Sequence, residues 1–162
     1  MKIGLDFDRV LFDTDSFKEF LFDEIDNFDE TYQEAKEEFY DPEKHAEILG
    51  IPQDRIYNVL SQADKFLYSD IKKLENFEAD VEFIIISRGD NKFQNIKIEK
   101  SGALEHVDGV FIVQDGDKDV LDIDLLVDDS KKELDRVDVE TFHFNRNEQS
   151  IEDILDRVKD LV

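Results

Sequence analysis

The stretch Lys2-Ile3-Gly4-Leu5-Asp6-Phe7-Asp8-Arg9-Val10-Leu11 decides how the rest of the chain is read. An apolar run ends in two aspartates one residue apart. On a strand, residues two apart share a face, so Asp6 and Asp8 leave it on the same side. Two such carboxylates about 4 Å apart repel by roughly 4 kcal/mol at an effective dielectric of about 20. A cation, a shared proton or a bend that parts them must offset this repulsion. The plain alternative is a solvated strand end in an acidic protein.

Four more apolar runs follow: Val81–Ser87, Val110–Val113, Asp124–Asp128 and Val139–Phe144. With Lys2–Phe7 they predict five short strands. The runs are near-continuous, not alternating, which is the pattern of a parallel sheet covered on both faces. Helical segments separate the last four. Lys92–Ser101 presents Phe93, Ile96 and Ile98 and stops at Gly102. Ser130–Val137 is short, with Ser130 as N-cap. Ser150–Leu161 carries an apolar stripe behind Ser150. Strand alternating with helix predicts an open α/β sheet.

Residues 13–77 break this rhythm. They hold no strand-like run, only helical patterns: Phe17 to Phe28, Thr31–Tyr40, Pro42–Leu49, Pro52–Ala63 and Lys65–Leu74. The segment reads as a helical insertion emerging beside Asp6 and Asp8. The core is then 1–12 and 78–162, with 13–77 inserted.

Composition narrows the function classes. The 162 residues suit one domain with a small appendage, and 14 Phe supply a real core. A formal net charge of −23 disfavours nucleic acid and anionic membrane as partners. Without Cys there is no disulfide, thiolate nucleophile or Cys-ligated zinc. His45, His106 and His143 lack ligand spacing and read as structural. No apolar run approaches the roughly 20 residues of a membrane span, and no signal peptide is evident, so the expected compartment is the cytoplasm.

In open parallel sheets, ligands bind at the carboxyl ends of the strands. Asp6 and Asp8 follow the first run, and Ser87-Arg88-Gly89-Asp90 the second. Lys118 comes beyond the third, and Asp128-Asp129-Ser130 follow the fourth. Asp6, Asp128 and the chain at Asp8 offer hard oxygen ligands suited to Mg²⁺. Asp6 could attack phosphorus. Asp8, held protonated by its acidic neighbours, could serve as general acid and then base. Ser87 and Lys118 would hold phosphate oxygens.

These motifs resemble those of the haloacid dehalogenase (HAD) superfamily. Asp6-Phe7-Asp8-Arg9-Val10-Leu11 resembles its first motif, Phe83 to Gly89 its second and Leu125 to Ser130 its fourth; Lys118 is the candidate for the third. The resemblance implies a Rossmann-like core, a cap at the 13–77 insertion and a Mg²⁺-dependent phosphoryl-transfer site. Asp6 would be nucleophile and Asp8 general acid/base. Asp6, Asp8 and Asp128 would serve the metal, with Asp129 in support, and Ser87, Arg88 and Lys118 the phosphate. An acid at position 8 is similar to phosphatases, where dehalogenases usually lack it. Arg9 departs from the Gly most frequent there. If Lys118 falls short, Lys100, Lys97 or Arg88 could stand in.

The expected function is hydrolysis of a small phosphorylated metabolite through an aspartyl-phosphate. Alternatives are a 5′-nucleotidase-type activity, with Phe17, Phe20, Phe66 or Tyr68 stacking a base, and a non-catalytic metal- or phosphate-binding scaffold. A receiver-type switch fits less well, because its acceptor acid follows the third strand. The sequence leaves the oligomeric state open.

Overall fold

The five apolar runs form one sheet in a computed structural model that describes residues 1–162. The strands are β1 (Lys2–Leu5), β2 (Glu82–Arg88), β3 (Gly109–Val113), β4 (Leu125–Asp128) and β5 (Glu140–His143). Their order across the sheet is β3-β2-β1-β4-β5, and all pairings are parallel. The chain moves outward from β1 to β3 and then returns to β4 on the other side. The strand order thus reverses between β1 and β4, the place where open sheets leave a crevice.

Side chains leave the sheet on two sides. Ile3, Leu5, Ile85, Leu125 and Val127 face the larger apolar cluster; Ile86, Leu126 and Ile123 face a smaller one. That explains the near-continuous runs: both faces are covered. The insertion contains α1 (Thr14–Glu24), α2 (Phe28–Tyr32), α3 (Pro42–Leu49) and α4 (Gln53–Val59). The later crossovers contain α5 (Asn91–Ser101), α6 (Lys131–Leu134) and α7 (Ile151–Leu161). Leu134 of α6 joins the smaller cluster, while α5, α7 and the insertion pack on the larger. Buried Phe17, Phe28, Ile56 and Leu60 of the insertion are continuous with Ile3 and Leu5 of the sheet. No helix is long and apolar enough to cross a membrane.

The first strand stops at Leu5, two residues short of the expected Phe7. The Asp6 N–H still bonds Val127 O at 2.8 Å, but the chain then curls. The N–H groups of Val10, Leu11 and Phe12 all donate to Phe7 O, at 3.3, 3.0 and 3.1 Å. This turn parts Asp6 from Asp8.

The insertion is less regular than the sequence patterns predict. Thr31–Tyr40 is not one helix: α2 gives way to a 3₁₀ turn, and the chain doubles back at Lys36–Tyr40. The reversal stacks Tyr40 on Tyr32, ring centroids 5.0 Å apart, and brings its hydroxyl to His45 Nδ1 at 2.8 Å. The patterns at Pro52–Ala63 and Lys65–Leu74 also resolve differently. A 3₁₀ stretch covers Leu60–Phe66, another covers Ser69–Asn76, and Leu67 between them is extended. Leu67 is drawn out because it runs beside Phe12, with Asp13 N–H bonding Phe66 O at 2.8 Å and Tyr68 N–H bonding Leu11 O at 3.0 Å. Exit and return of the insertion are stitched together. Asp90 caps α5 by accepting from the Phe93 N–H at 2.9 Å.

Candidate active site

Parallel pairing of β1 with β4 sets the two acid-bearing ends side by side. Carboxylate oxygens of Asp6, Asp128 and Asp129 lie within 4.8 Å of one another. Lys118, from the loop before β4, reaches between two of them. Its Nζ donates to Asp6 Oδ1 at 3.0 Å and to Asp128 Oδ2 at 2.6 Å. All three residues are buried, Lys118 and Asp128 almost completely. Asp128 Oδ1 also accepts from the Ser130 N–H at 2.9 Å.

One ammonium cannot neutralise three carboxylates. Burial, reinforced by Asp128, pushes Asp6 up to about 7 despite Lys118. Burial and the Asp6 carboxylate push Asp129 up to about 7 as well, with a hydrogen bond between the two. Burial raises Asp128. Burial opposes the charge on Lys118, but Asp6 and Asp128 outweigh it and hold the ammonium above the usual lysine range. Three hard oxygen donors this close, with protons retained for want of positive charge, form a donor set that suits a small divalent cation such as Mg²⁺.

Asp8 belongs to a separate network. Its Oδ1 accepts from Lys97 Nζ at 2.7 Å and from Thr14 Oγ1 at 2.9 Å; its Oδ2 accepts from Gln94 Nε2 at 3.0 Å. Burial favours protonation, but Lys97 and these hydrogen bonds prevail, and Asp8 is held down at about 2. The expectation of an Asp8 kept protonated by acidic neighbours is corrected. The turn after Asp6 points its carboxyl to a lysine, and Asp129 takes its place beside Asp6 and Asp128.

Ser87, at the end of β2, is fully buried, and its Oγ accepts from Gln94 Nε2 at 2.7 Å. One amide thus links Ser87 to Asp8. Arg88 is not brought to the acids. Its guanidinium donates to Glu133 at 2.5 and 3.1 Å and to the carbonyls of Gln114 and Gly116 at 3.3 and 2.7 Å. Those bonds tie β2 to α6 and to the loop after β3, while Arg88 also lines the cleft that holds Asp8, Gln94 and Lys97. Arg9 adopts a left-handed backbone, φ 65°, and pairs with Asp15 at 3.0 Å.

Gln94 and Thr14 were missed by the sequence reading, and Lys97 entered only as a substitute for Lys118. Gln94 and Lys97 are one helical turn apart on α5 and both are buried, whereas Ile96, read as core, is only half-buried. Spacing of i and i+3 on the helix after β2 was the available signal.

A cleft of about 190 Å³ lies between the insertion and the sheet edge, lined by Asp8, Thr14, Gln94 and Lys97 together with α1, Tyr32 and Tyr40. A second cleft is lined by Asp129, Asp13, Arg9, Thr14 and the chain at His143–Asn147. Asp6 lines neither, but Asp8 and Asp129 line one each, and 9% of the Asp6 side chain stays exposed.

No protein-family model matches the sequence, and no curated protein matches it. Solved structures do match the fold. A haloacid dehalogenase-like hydrolase from Burkholderia xenovorans LB400 superposes with a TM-score of 0.63 at 19% identity, covering 98% of this chain and 96% of that one. A haloacid dehalogenase-like family hydrolase from Xanthomonas campestris gives 0.55 at 13%, over 90% and 82% of the two chains. YfnB from Bacillus subtilis, described as a HAD-hydrolase and solved with magnesium bound, gives 0.56 at 11%, over 96% and 98%. The chain is therefore built on the haloacid dehalogenase-like fold, a parallel α/β sheet with a helical segment inserted after its first strand.

Proposed function

We propose that this protein is a Mg²⁺-dependent phosphomonoester hydrolase acting on a small phosphorylated metabolite, with residues 13–77 as its cap. The observation that carries the reading is the meeting of Asp6, Asp128 and Asp129 with Lys118 where β1 adjoins β4. Asp6, Asp128 and Asp129 would hold Mg²⁺, which supplies positive charge to an incoming phosphate. That ligand set places Asp129 where the sequence suggested Asp8.

Asp6 attacks phosphorus, forming a P–O bond to its carboxylate as the bond to the leaving oxygen breaks. The buried Lys118 ammonium keeps the Asp6 carboxylate oriented and balances its charge. Asp8 stands two residues on. With the phosphate bound as its monoanion, Asp8 takes the proton of the phosphate and passes it to the leaving oxygen. Returned to the carboxylate that Lys97, Gln94 and Thr14 favour, it then takes a proton from the water that cleaves the aspartyl-phosphate. Ser87, locked to Gln94, acts by positioning that amide. Asp6 is only slightly exposed, so attack requires the insertion to part from the sheet edge.

The test is hydrolysis of p-nitrophenyl phosphate with and without Mg²⁺, by the wild-type protein and Asp6→Asn. Mg²⁺-dependent turnover that the variant lacks is expected. Equal rates in the two proteins remove Asp6 as nucleophile.

A further inference from the structure

The cleft beside Asp8 collects cations in a protein that has few. The chain carries 43 acidic residues against 20 Lys and Arg, yet Arg9, Lys18, Lys36, Arg88 and Lys97 all line this one cleft. Three of them are already paired, Arg9 with Asp15, Arg88 with Glu133 and Lys97 with Asp8. Lys18 and Lys36 make no ion pair at all.

The position of Lys18 sharpens the point. Thr14, Phe17, Lys18 and Leu21 follow helical spacing on α1, and all four line the cleft. Thr14, Phe17 and Leu21 are buried. Lys18 therefore lies on the inward stripe of an amphipathic helix, half-buried, with its Nζ 4.8 Å from the centre of the Tyr32 ring. Burial, and the charges of Arg9 and Lys36, push its ammonium below the usual lysine range. Like charges crowd here although acids are abundant elsewhere. Glu38 and Asp90 also line the cleft, but Asp90 is engaged in capping α5.

We propose that Lys18 and Lys36 form a subsite for a second acidic group on the substrate, carried by the leaving group at the end remote from the scissile phosphate. The substrate class is a short phosphate ester bearing a carboxylate or a second phosphate. The cleft measures about 190 Å³ before the insertion parts from the sheet edge, below the roughly 300 Å³ where ligand sites usually begin, so an ester of a few carbons needs less opening than a nucleotide. This inference rests on the phosphatase reading and deepens it.

Three probes share a two-carbon frame: ethyl phosphate, phosphoglycolate and ethylene glycol bisphosphate. The wild-type protein should favour one or both acidic probes over ethyl phosphate by at least about tenfold in kcat/KM, and the favoured probe tells carboxylate from phosphate. In Lys18→Gln/Lys36→Gln that ratio should fall about tenfold, while Lys44→Gln, on α3 outside the cleft, keeps it. A wild-type ratio near one, or a ratio unmoved by the double substitution, overturns the subsite even with hydrolysis intact. Calorimetry on Asp6→Asn separates the two readings. Tighter binding of an acidic probe than of ethyl phosphate, lost on adding Lys18→Gln/Lys36→Gln, supports the subsite whether or not the wild type turns over. Equal binding of all three overturns it.

Discussion

Asp6 and Asp8, two residues apart in sequence, are paired to different lysines: Lys118 Nζ meets Asp6 at 3.0 Å and Lys97 Nζ meets Asp8 at 2.7 Å. The repulsion expected of the pair is eased twice, by the turn at Phe7 and by a different lysine for each acid, Lys118 being shared between Asp6 and Asp128. Lys97 is buried and also lies about 5.5 Å from the ring of Phe93, so Lys97→Met keeps the packing and removes the charge. Asp8 then loses the main group holding it at about 2. A depressed carboxylate stabilises the fold above its unfolded pKa near 3.8, and that stability is lost as pH falls through about 2. The shift corresponds to about 2 kcal/mol. Lys97→Met should be destabilised by about that amount at pH 7 and should lack this part of the acid transition, as urea titrations at pH 7 and pH 2.5 would reveal. If the proposed reaction holds, its rate of phosphate-ester hydrolysis should fall roughly tenfold or more, with the acid limb displaced upward.

The Asp6–Asp129 pair makes the opposite prediction. Both are raised to about 7, so the folded chain keeps protons that the unfolded chain releases from about pH 4 upward. Without metal, this pair costs stability as pH rises from about 4 to 7. A divalent cation needs the carboxylates ionised, so its binding releases protons and strengthens through the same window. Melting curves with and without Mg²⁺ should therefore differ more at pH 8 than at pH 5.5. At about 100 times its Kd the ion should add roughly 2.7 kcal/mol at the higher pH. Asp128→Asn should abolish the increment. An equal increment at both pH values would mean that the ion binds elsewhere.

What the sequence revealed and what it hid follow from how each residue meets the fold. Asp6, Asp128 and Lys118 were legible because each stands at or beside the end of an apolar run, and parallel pairing carries such ends to one edge. The Asp8 network was not, because its members are polar residues on a buried helix face. Reading α5 by its apolar residues selects Ile96 and passes over Gln94 and Lys97, whose burial exists only because Asp8 and Ser87 are there to bond them. The pairing of Arg88 was hidden for another reason: it ends β2, but its partner Glu133 lies 45 residues away in sequence. The irregular insertion was hidden because stacking of Tyr40 on Tyr32 and pairing of Leu67 with Phe12 override local helix propensity.

Gly89 makes room for that network. A Cβ there would lie 2.4 Å from Gln94 Cγ and 3.0 Å from its Cδ. Gly89→Ala must therefore displace Gln94, breaking its bonds to Asp8 at 3.0 Å and to Ser87 at 2.7 Å. Leaving these buried groups short of a donor costs about 1–3 kcal/mol. A double-mutant cycle isolates the cause. Gly89→Ala should be costly alone and nearly neutral on a Gln94→Ala background, in both urea midpoint and kcat/KM. Equal costs on the two backgrounds would place the strain elsewhere.

Arg9 supplies a test in which the usual order of two residues inverts. Its φ of 65° is maintained because its N–H bonds Phe12 O at 2.9 Å and Thr14 Oγ1 at 3.1 Å, closing the turn that parts Asp6 from Asp8. A left-handed backbone costs a residue with a Cβ about 1–2 kcal/mol. The Arg9–Asp15 pair returns little of that, since its partners are 43% and 72% exposed. Arg9→Ala keeps the backbone strain and loses the pair. Arg9→Gly loses the pair but also the strain, less the added freedom of its unfolded chain. The Gly variant should thus be more stable than the Ala variant by about 1 kcal/mol, the reverse of their order in a helix or strand. Thermal melts of the two proteins decide it: an Ala variant at or above the Gly variant would mean that the turn after Asp8 does not demand this conformation.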